Sequence, residues 1–592
     1  IMPRKVTAII SKDKCFPNKC SRECIKYCPI NRSGGEGFRL SEITGKAEID
    51  EKLVLEAHKI SAKMCPYEAI KIVNLPEEKQ QPFHQYGKNM FRLYTLPTPK
   101  GSTIIGIIGR NGIGKSTALS ILSGNLKPNL GDYQEDIPEN EILEKYSTTL
   151  LGKYLEKLFN EKIKISYKPQ RIELLPKAYT GKVYELLKKI DERNLLNKLK
   201  QELNLEQLQN RNINELSGGE LQKIAIAACL LKQADVYYFD EPMSFLDITT
   251  RIKVAGLIKE LTKNSACLVI EHDLTALDYI SDEIQIVYGE PSAYGVFSTS
   301  KSVRRGINEY LAGYIPDENL RFRDYAIKFS QSPKPQEKSP KIALTYPELE
   351  KTYPQFSLHT SPGSLHKGEV LGIVGANSLG KSTFLKLLAG IEQPDKGEVK
   401  KLKLAYKPQY LDSSINKTVL EFLKEKAGSS FNSGWYKQNI LEKLGLQYIL
   451  NNPISTLSGG ELQKTHIAAC LSQDVELIAM DEPSAFIDVE DRLKTAEIIK
   501  EFIVKKEITG IIIDHDIQFI DYLADSMLVF EGIPGKKGYV HEPMDKQPGM
   551  NKLLSMLDIT YRADKESGRR RINKPGSQLD QQQRQKGEYY YV

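Results

Sequence analysis

The octapeptide Leu216-Ser217-Gly218-Gly219-Glu220-Leu221-Gln222-Lys223 recurs letter for letter as Leu457-Ser458-Gly459-Gly460-Glu461-Leu462-Gln463-Lys464. Each copy runs into an apolar stretch of helical pattern that ends in Ala-Ala-Cys, at Cys229 and Cys470. An identity of that length inside one chain is not chance, so the chain is built from a repeated unit. A Ser-Gly-Gly turn opening a helix offers a hydroxyl and bare backbone N–H groups to an anion, at the positive end of the helix dipole. Two anion-binding turns are therefore the first constraint on the fold.

Further matches follow in the same order. Gly101 to Ile108 reads as a turn and a buried strand ending in Gly109-Arg110-Asn111-Gly112-Ile113-Gly114-Lys115-Ser116-Thr117. Val370 to Val374 ends likewise in Gly375-Ala376-Asn377-Ser378-Leu379-Gly380-Lys381-Ser382-Thr383. A strand, Gly-x4-Gly-Lys-Ser and a helix form the context a phosphate-binding P-loop requires. Its backbone cradles phosphate, Lys115 or Lys381 reaches the β- and γ-phosphates, and Ser116 or Ser382 ligates Mg2+. Ser378 replaces Gly112, and serves if its backbone avoids positive φ. Tyr167-Lys168-Pro169-Gln170 returns as Tyr406 to Gln409, Asp240-Glu241-Pro242 as Asp481-Glu482-Pro483, Ser244 to Asp247 as Ala485 to Asp488, and Glu271-His272-Asp273 as Asp514-His515-Asp516.

Six ordered motifs in duplicate resemble a tandem pair of ABC-type ATPase domains, an α/β fold with two P-loop nucleotide-binding units. The resemblance implies that Asp240 and Asp481 hold Mg2+, Glu241 and Glu482 polarise the attacking water, His272 and His515 contact the γ-phosphate, and Gln170 and Gln409 couple metal to motion. It also implies that each signature completes the other half's site: Ser458, Gly459 and Gly460 with Lys115, and Ser217, Gly218 and Gly219 with Lys381. Such a set suits phosphoryl transfer, which is mostly positioning and charge stabilisation. Tyr86 and Phe91, with Tyr353 and Phe356, are candidates to stack on adenine, or else core residues.

Composition narrows the class. At 592 residues and 40% apolar content the chain can bury several domain cores. No apolar run approaches the roughly 18 residues of a membrane span, and Ile1 to Lys5 do not lead into the apolar core of a signal peptide. A cytoplasmic monomer is expected. A net charge of +7 is too mild to mark a nucleic-acid partner by itself. Cys15, Cys20, Cys24, Cys28 and Cys65 crowd the amino-terminal end, which in a cytosolic chain argues for metal rather than disulfides. Cys229, Cys267 and Cys470 lie in apolar contexts and read as core.

The run Cys15-x4-Cys20-x3-Cys24-x3-Cys28-Pro29, with Cys65-Pro66 later, resembles a two-cluster ferredoxin domain, in which the cysteine before proline ligates the other cluster. That resemblance implies one complete [4Fe-4S] set, Cys15, Cys20, Cys24 and Cys65. A structural zinc on the same thiolates is the alternative. The second cluster would need Cys28 and three more cysteines where this chain has Leu55, His58 and Ser61, so one cluster is expected, not two. His58 reads as a surface histidine.

The first half is longer before its signature, and Glu139, Ile142, Leu143, Tyr146, Leu150, Leu151 and Tyr154 suggest a helix-loop-helix over about 138–160. It is either a partner-binding insert or a tolerated surface loop. Arg304 to Pro316 is aromatic and charged, unlike a Gly/Ser spacer, and is expected to pack as a hinge, with Ser330 to Pro340 flexible. Arg569-Arg570-Arg571 suits the hinge, RNA phosphate or a solvated face. A ferredoxin-like head, two ATPase halves, one insert and two hinge segments resemble the E-subfamily of ABC ATPases, the ribosome-recycling or RNase L inhibitor family. Tyr86-Gly87-x-Asn89-x-Phe91 and Lys127 to Gly131 look closer to its eukaryotic members. The expected division is a head at 1–75, ATPase domains at 76–300 and 341–545, and hinge segments at 301–340 and 546–592. The family implies ATP-driven splitting of the ribosome after termination or rescue. A release or rescue factor would meet the head, and the small subunit with its rRNA would meet insert and hinges. ATP-gated small-subunit binding beside initiation factors is the alternative. Met243 departs from the family's usual serine. The F-subfamily lacks the cysteine domain, and the cluster head makes a membrane transporter's ATPase subunit a poor match.

Overall fold

The computed structural model describes residues 6–75, 81–329, 341–400, 402–409, 411–412 and 414–590; Ser330 to Pro340 lies outside them. Each half folds around a nine-stranded sheet. In the first, Ile165–Lys168, Val236–Asp240, Ala266–Ile270, Ile104–Ile108 and Glu283–Glu290 run parallel in that spatial order. In the second, Leu404–Lys407, Leu477–Asp481, Thr509–Ile513, Val370–Val374 and Ser526–Ile533 do the same. All residues of Ile104–Ile108, Val236–Asp240 and Ala266–Ile270 are buried, as in strands covered on both faces. Successive side chains enter opposite cores. Tyr237 and Phe239 meet the signature helix Gly218–Leu231, whereas Val236 and Tyr238 meet the P-loop helix Lys115–Leu122.

Because these strands are parallel, their carboxyl ends share one edge, where ligands of open α/β sheets bind. Ala266–Ile270 lies between the P-loop strand and Val236–Asp240, so the residues after Ile270 drop between Lys115 and Glu241. Two helices, Glu139–Tyr146 and Leu150–Phe159, occupy the insert. Tyr154 there donates its hydroxyl to the Leu122 carbonyl at 2.6 Å, fastening the insert to the end of the P-loop helix.

The amino-terminal head pairs Val6–Ile10 antiparallel with Ile70–Asn74. It touches the second half through Lys14, whose Nζ lies 3.2 Å from Glu461 Oε1, and through Pro66, whose carbonyl accepts from Asn451 Nδ2 at 3.2 Å. His58 is fully buried rather than superficial, because its ring sits edge-on to Phe38 and its Nδ1 accepts the Leu55 N–H at 2.9 Å. The arginine run is committed to the hinge. Arg569 and Arg571 both bind Asp278 of the first half, at 3.3 and 2.8 Å, and Arg570 reaches Asp521 of the second at 3.5 Å. Arg304 closes the hinge onto Asp564 at 3.1 Å. Cys229, Cys267 and Cys470 are core residues. No described helix is long and apolar enough to cross a membrane.

Candidate active site

Gly114 and Gly380 both stand at φ +90° at the start of the P-loop helices. Phe91 and Phe356 press against them: a Cβ would lie 2.6 Å from Phe91 Cζ or 2.8 Å from Phe356 Cζ. These two rings are thus floors of the P-loops. Tyr86 is half exposed, with its hydroxyl 3.1 Å from Thr117 Oγ1, while Tyr353 stacks on Phe356 and donates to Glu392. Lys115 Nζ folds over its loop onto the carbonyls of Gly109 and Arg110, at 2.8 and 2.7 Å, and Lys381 does so onto Gly375 and Ala376. Ser378 has φ +60° and Gly112 +74°. The second loop therefore keeps the left-handed turn with a residue that resists it, contrary to the condition set for a serine there.

Glu241 and Glu482 are held at φ +48° and +47°, a conformation an L-residue adopts only under constraint. Their N–H groups are fixed on the carbonyls of Ile270 and Ile513, at 3.0 and 2.7 Å. Gln170 and Gln409 donate to their carboxylates at 2.8 and 2.6 Å. His272 Nε2 lies 3.6 Å from Glu241 and His515 Nε2 3.5 Å from Glu482; His515 also lies 3.0 Å from Asn377 Oδ1. Burial lowers the basicity of both rings. Lys168 and Lys407, absent from the sequence-based site, sit buried and donate to the carbonyls of Asp240 and Asp481 at 2.8 and 2.6 Å.

Both carboxylate oxygens of Asp240 are buried without a hydrogen-bond partner among the described residues, and Ser382 Oγ donates to Asp481 at 3.1 Å. Burial and Glu241 push Asp240 up to about 6; burial, then Asp514 and Asp481, push Glu482 up to about 7. Neighbouring buried carboxyls oppose each other's ionisation, and a divalent cation reverses that penalty. Ser116 with Asp240, and Ser382 with Asp481, accordingly fit Mg2+. Cys15, Cys20, Cys24 and Cys65 line one pocket with Phe16, Pro66 and Tyr67, although no three converge at single-ion distances among the described residues. Burial, then the neighbouring Cys65 and Cys15, push the Cys24 thiol up to about 12. Cys28 is buried outside that pocket's lining.

The two halves meet reciprocally. Asp488 caps the helix Val489–Lys506 through Oδ1 and accepts the Asn111 N–H through Oδ2 at 3.2 Å; Asp247 caps Ile248–Leu261 and accepts the Asn377 N–H at 3.1 Å. Phe245 and Phe486 meet edge-on with centroids 5.6 Å apart. A Cβ at Gly460 would lie 3.0 Å from the Phe486 carbonyl, which itself accepts from Asn111 Nδ2 at 3.3 Å. The signature glycines are thus bare partly to let this residue lie between them and the opposite P-loop. Ser217 and Ser458 each cap their helix in a reciprocal box with Glu220 or Glu461.

Residues 97–244 and 358–485 match the model of the ABC transporter family, and residues 7–36 that of a possible Fer4-like domain in RNase L inhibitor, RLI. An ABC transporter ATP-binding protein of Methanocaldococcus jannaschii is 47% identical over 99% of this chain and 97% of its own. Translation initiation factor RLI1 of Saccharomyces cerevisiae is 39% identical over 99% and 98%. A model of ribosome-bound archaeal Pelota and ABCE1 superposes with a TM-score of 0.93 at 45% identity, over the whole of both chains. The chain belongs to the E family of ABC ATPases. An archaeal ribosome recycling factor of that family, solved with the stalk protein aP1, matches 87% of this chain and 100% of its own, with a TM-score of 0.82 and 46% identity. As an E-family member the chain is an ATP hydrolase whose cofactors are ATP and Mg2+, with an iron-sulfur type of head. Identity is higher to the archaeal relatives than to yeast, so the two segments read as eukaryotic-like do not set its position in the E family. Sequence reading of this E-family chain missed Arg251 and Arg492, whose one signal was their shared place a helical turn after Asp247 and Asp488.

Proposed function

We propose that this chain is an ATP-driven clamp that splits the ribosome into subunits after termination or rescue. One observation carries the reading: Asp247 and Asp488 each hold the other half's P-loop, at Asn377 and Asn111, so nucleotide at either loop bears on both halves. Site one unites Lys115, Ser116, Thr117, Gln170, Asp240, Glu241 and His272 with Ser458, Gly459 and Gly460. Site two unites Lys381, Ser382, Thr383, Gln409, Asp481, Glu482 and His515 with Ser217, Gly218 and Gly219. ATP closes the halves, and loss of the γ-phosphate contacts lets them part.

The head holds one [4Fe-4S] cluster on Cys15, Cys20, Cys24 and Cys65. Lys14 and Pro66, which touch the second half, are neighbours of two of these cysteines, so a cluster there stiffens the link to the signature at Glu461. The relatives' descriptions as a ribosome recycling factor and as ribosome-bound with Pelota support a ribosomal substrate and a rescue-factor partner. The small subunit and its rRNA are the expected contacts of insert and hinges. The work is done in the cytoplasm by one chain that carries both sites. The ATPase domains run from 76 to 300 and from 341 to 545, flanked by the head and hinge segments. ATP-gated binding to the small subunit during initiation is the second reading, favoured by the yeast relative's name.

Density-gradient profiles of ribosomes with this protein, a rescue factor and ATP test the first reading. Wild type yields free subunits, whereas Glu241→Gln with Glu482→Gln binds without turnover. Binding with no subunit release by wild type leaves initiation as the function. Iron analysis of anaerobically purified protein gives about four irons per chain for one such cluster; about eight, or zinc instead of iron, refutes the single cluster.

A further inference from the structure

At the centre of the interface, two arginines and two aspartates form a nearly dry quartet. Arg251 Nη1 donates to Asp273 Oδ2 of its own half at 3.2 Å and to the main-chain carbonyl of His515 across the interface at 3.3 Å. Arg492 repeats this in reverse, binding Asp516 of its own half and the His272 carbonyl of the other at 3.4 Å. The aspartates divide their oxygens. Asp273 Oδ1 caps the helix Leu274–Ile280 through Thr275 N–H at 2.8 Å, and Asp516 Oδ1 caps Ile517–Leu523 through Phe519 N–H at 2.9 Å. Asp273 and Asp516 are 9% and 5% exposed; burial and then the neighbouring Asp516 raise the proton affinity of Asp273, and Arg251 and Arg492 both oppose that rise. The bases of the forks are fixed as well, with Arg251 Nε on the Leu246 carbonyl at 2.9 Å and Arg492 Nε on the Ile487 carbonyl at 3.2 Å. Each guanidinium therefore spans three segments: its own turn at Ser244 to Asp247 or Ala485 to Asp488, its own histidine loop and the other half's histidine.

We propose that Arg251 and Arg492 are positioning residues that couple the two nucleotide sites, by tying the loop of each histidine to the loop of the other. The proposal rests on the reading of His272 and His515 as γ-phosphate contacts. A histidine drawn towards phosphate pulls its carbonyl against the opposite arginine, which is braced on the opposite histidine loop through its aspartate. The signal needs no contact between the two nucleotides, and the arrangement is two-fold, so it runs equally in both directions, as linkage requires of binding.

The test measures coupling rather than activity. In a Glu241→Gln, Glu482→Gln background that binds ATP without turnover, the affinity of site one for MgATP is measured with site two competent and with site two disabled by Lys381→Ala. The ratio is the coupling factor, expected at about tenfold, within the usual allosteric range. Arg251→Gln and Arg492→Gln each cut this ratio at least threefold. Arg251→Lys and Arg492→Lys keep the buried charge beside Asp273 or Asp516 but lose the fork, and cut it likewise; they decide the matter if the glutamine variants melt prematurely. A purely structural role would weaken both affinities and leave the ratio unchanged. A parent ratio near one, or a ratio that falls less than threefold in the lysine variants, overturns the proposal. Turnover unaffected by His272→Ala would instead sink the histidine reading, a separate outcome.

Discussion

The backbone N–H of Met243 donates to Glu271 Oε1 at 2.6 Å, and its counterpart in the second half runs from Ser484 N–H to Asp514 Oδ2 at 3.0 Å. Ser484 adds a hydroxyl bond to Asp514 at 2.8 Å that Met243 cannot make. Glutamate, one methylene longer, instead spans from Met243 to the His272 N–H at 2.9 Å. Met-Glu and Ser-Asp are thus two solutions to one problem, holding the histidine loop against the turn after Glu241 or Glu482.

Glu271→Asp should therefore shorten the reach and strand the buried Met243 N–H, at a cost of about 1–3 kcal/mol. Because the freed loop carries His272, about 1.4 kcal/mol of that cost is expected to reach the barrier, and first-site turnover, measured with Glu482→Gln silencing the second, should fall about tenfold. Adding Met243→Ser rebuilds the second half's pair and should restore activity to within about threefold. Additive losses in the double variant would show that the two positions do not act as a pair.

Ser378 carries a left-handed backbone that costs an L-residue roughly 1–2 kcal/mol. Space is not the obstacle: at the equivalent Gly112 a Cβ would meet Ser292 N at 3.4 Å, an ordinary contact. Ser378→Gly should raise the stability of the second half by about 1 kcal/mol, less the entropy glycine gains on unfolding. Thermal melts with and without MgATP measure it, and a lower melting temperature in both would contradict the strain argument.

The P-loops, signatures and carboxylates were legible because phosphate chemistry fixes both residue type and spacing, and because each motif appears twice. The sheet order was not. Nothing local in Ala266–Ile270 says that it lies between the P-loop strand and Val236–Asp240. Phe91 was read for its ring alone, yet its place beneath Gly114 depends on a strand pairing between Arg92–Leu93 and Tyr294–Phe297, far apart in sequence. Arg251 and Arg492 carried no motif, since their meaning is the other half's main chain. His58 misled because a lone histidine gives no sign of burial against Phe38.

Cys65 and Cys28 should separate by chemistry. Cys65→Ser removes a thiol from the four-cysteine pocket and should abolish the visible absorption of a bound cluster. Cys28 is fully buried in the apolar core of the head, and a Cβ at Gly37 would come within 2.4 Å of its sulfur. Cys28→Ser should keep the absorption and lower head stability by about 1–3 kcal/mol through a buried hydroxyl. Iron content halved by Cys28→Ser would instead assign it to a second cluster.

Glu482 offers a test by pH. Burial, with Asp514 and Asp481 beside it, raises its carboxyl from 4.5 to about 7, so without metal the folded protein binds this proton more tightly than the unfolded chain does. Its contribution to stability is then complete below about pH 4.5 and is lost as pH rises through about 7. Glu482→Gln carries no titrating group there. Melted in EDTA, the variant should therefore gain on wild type between pH 5 and 8, by on the order of 1 kcal/mol. Mg2+ with ATP should shrink the gain, because a cation at Asp481 favours the ionised carboxylate beside it. A difference between variant and wild type that stays constant across this range would show that Glu482 is ionised throughout, and that the second site meets Mg2+ already charged.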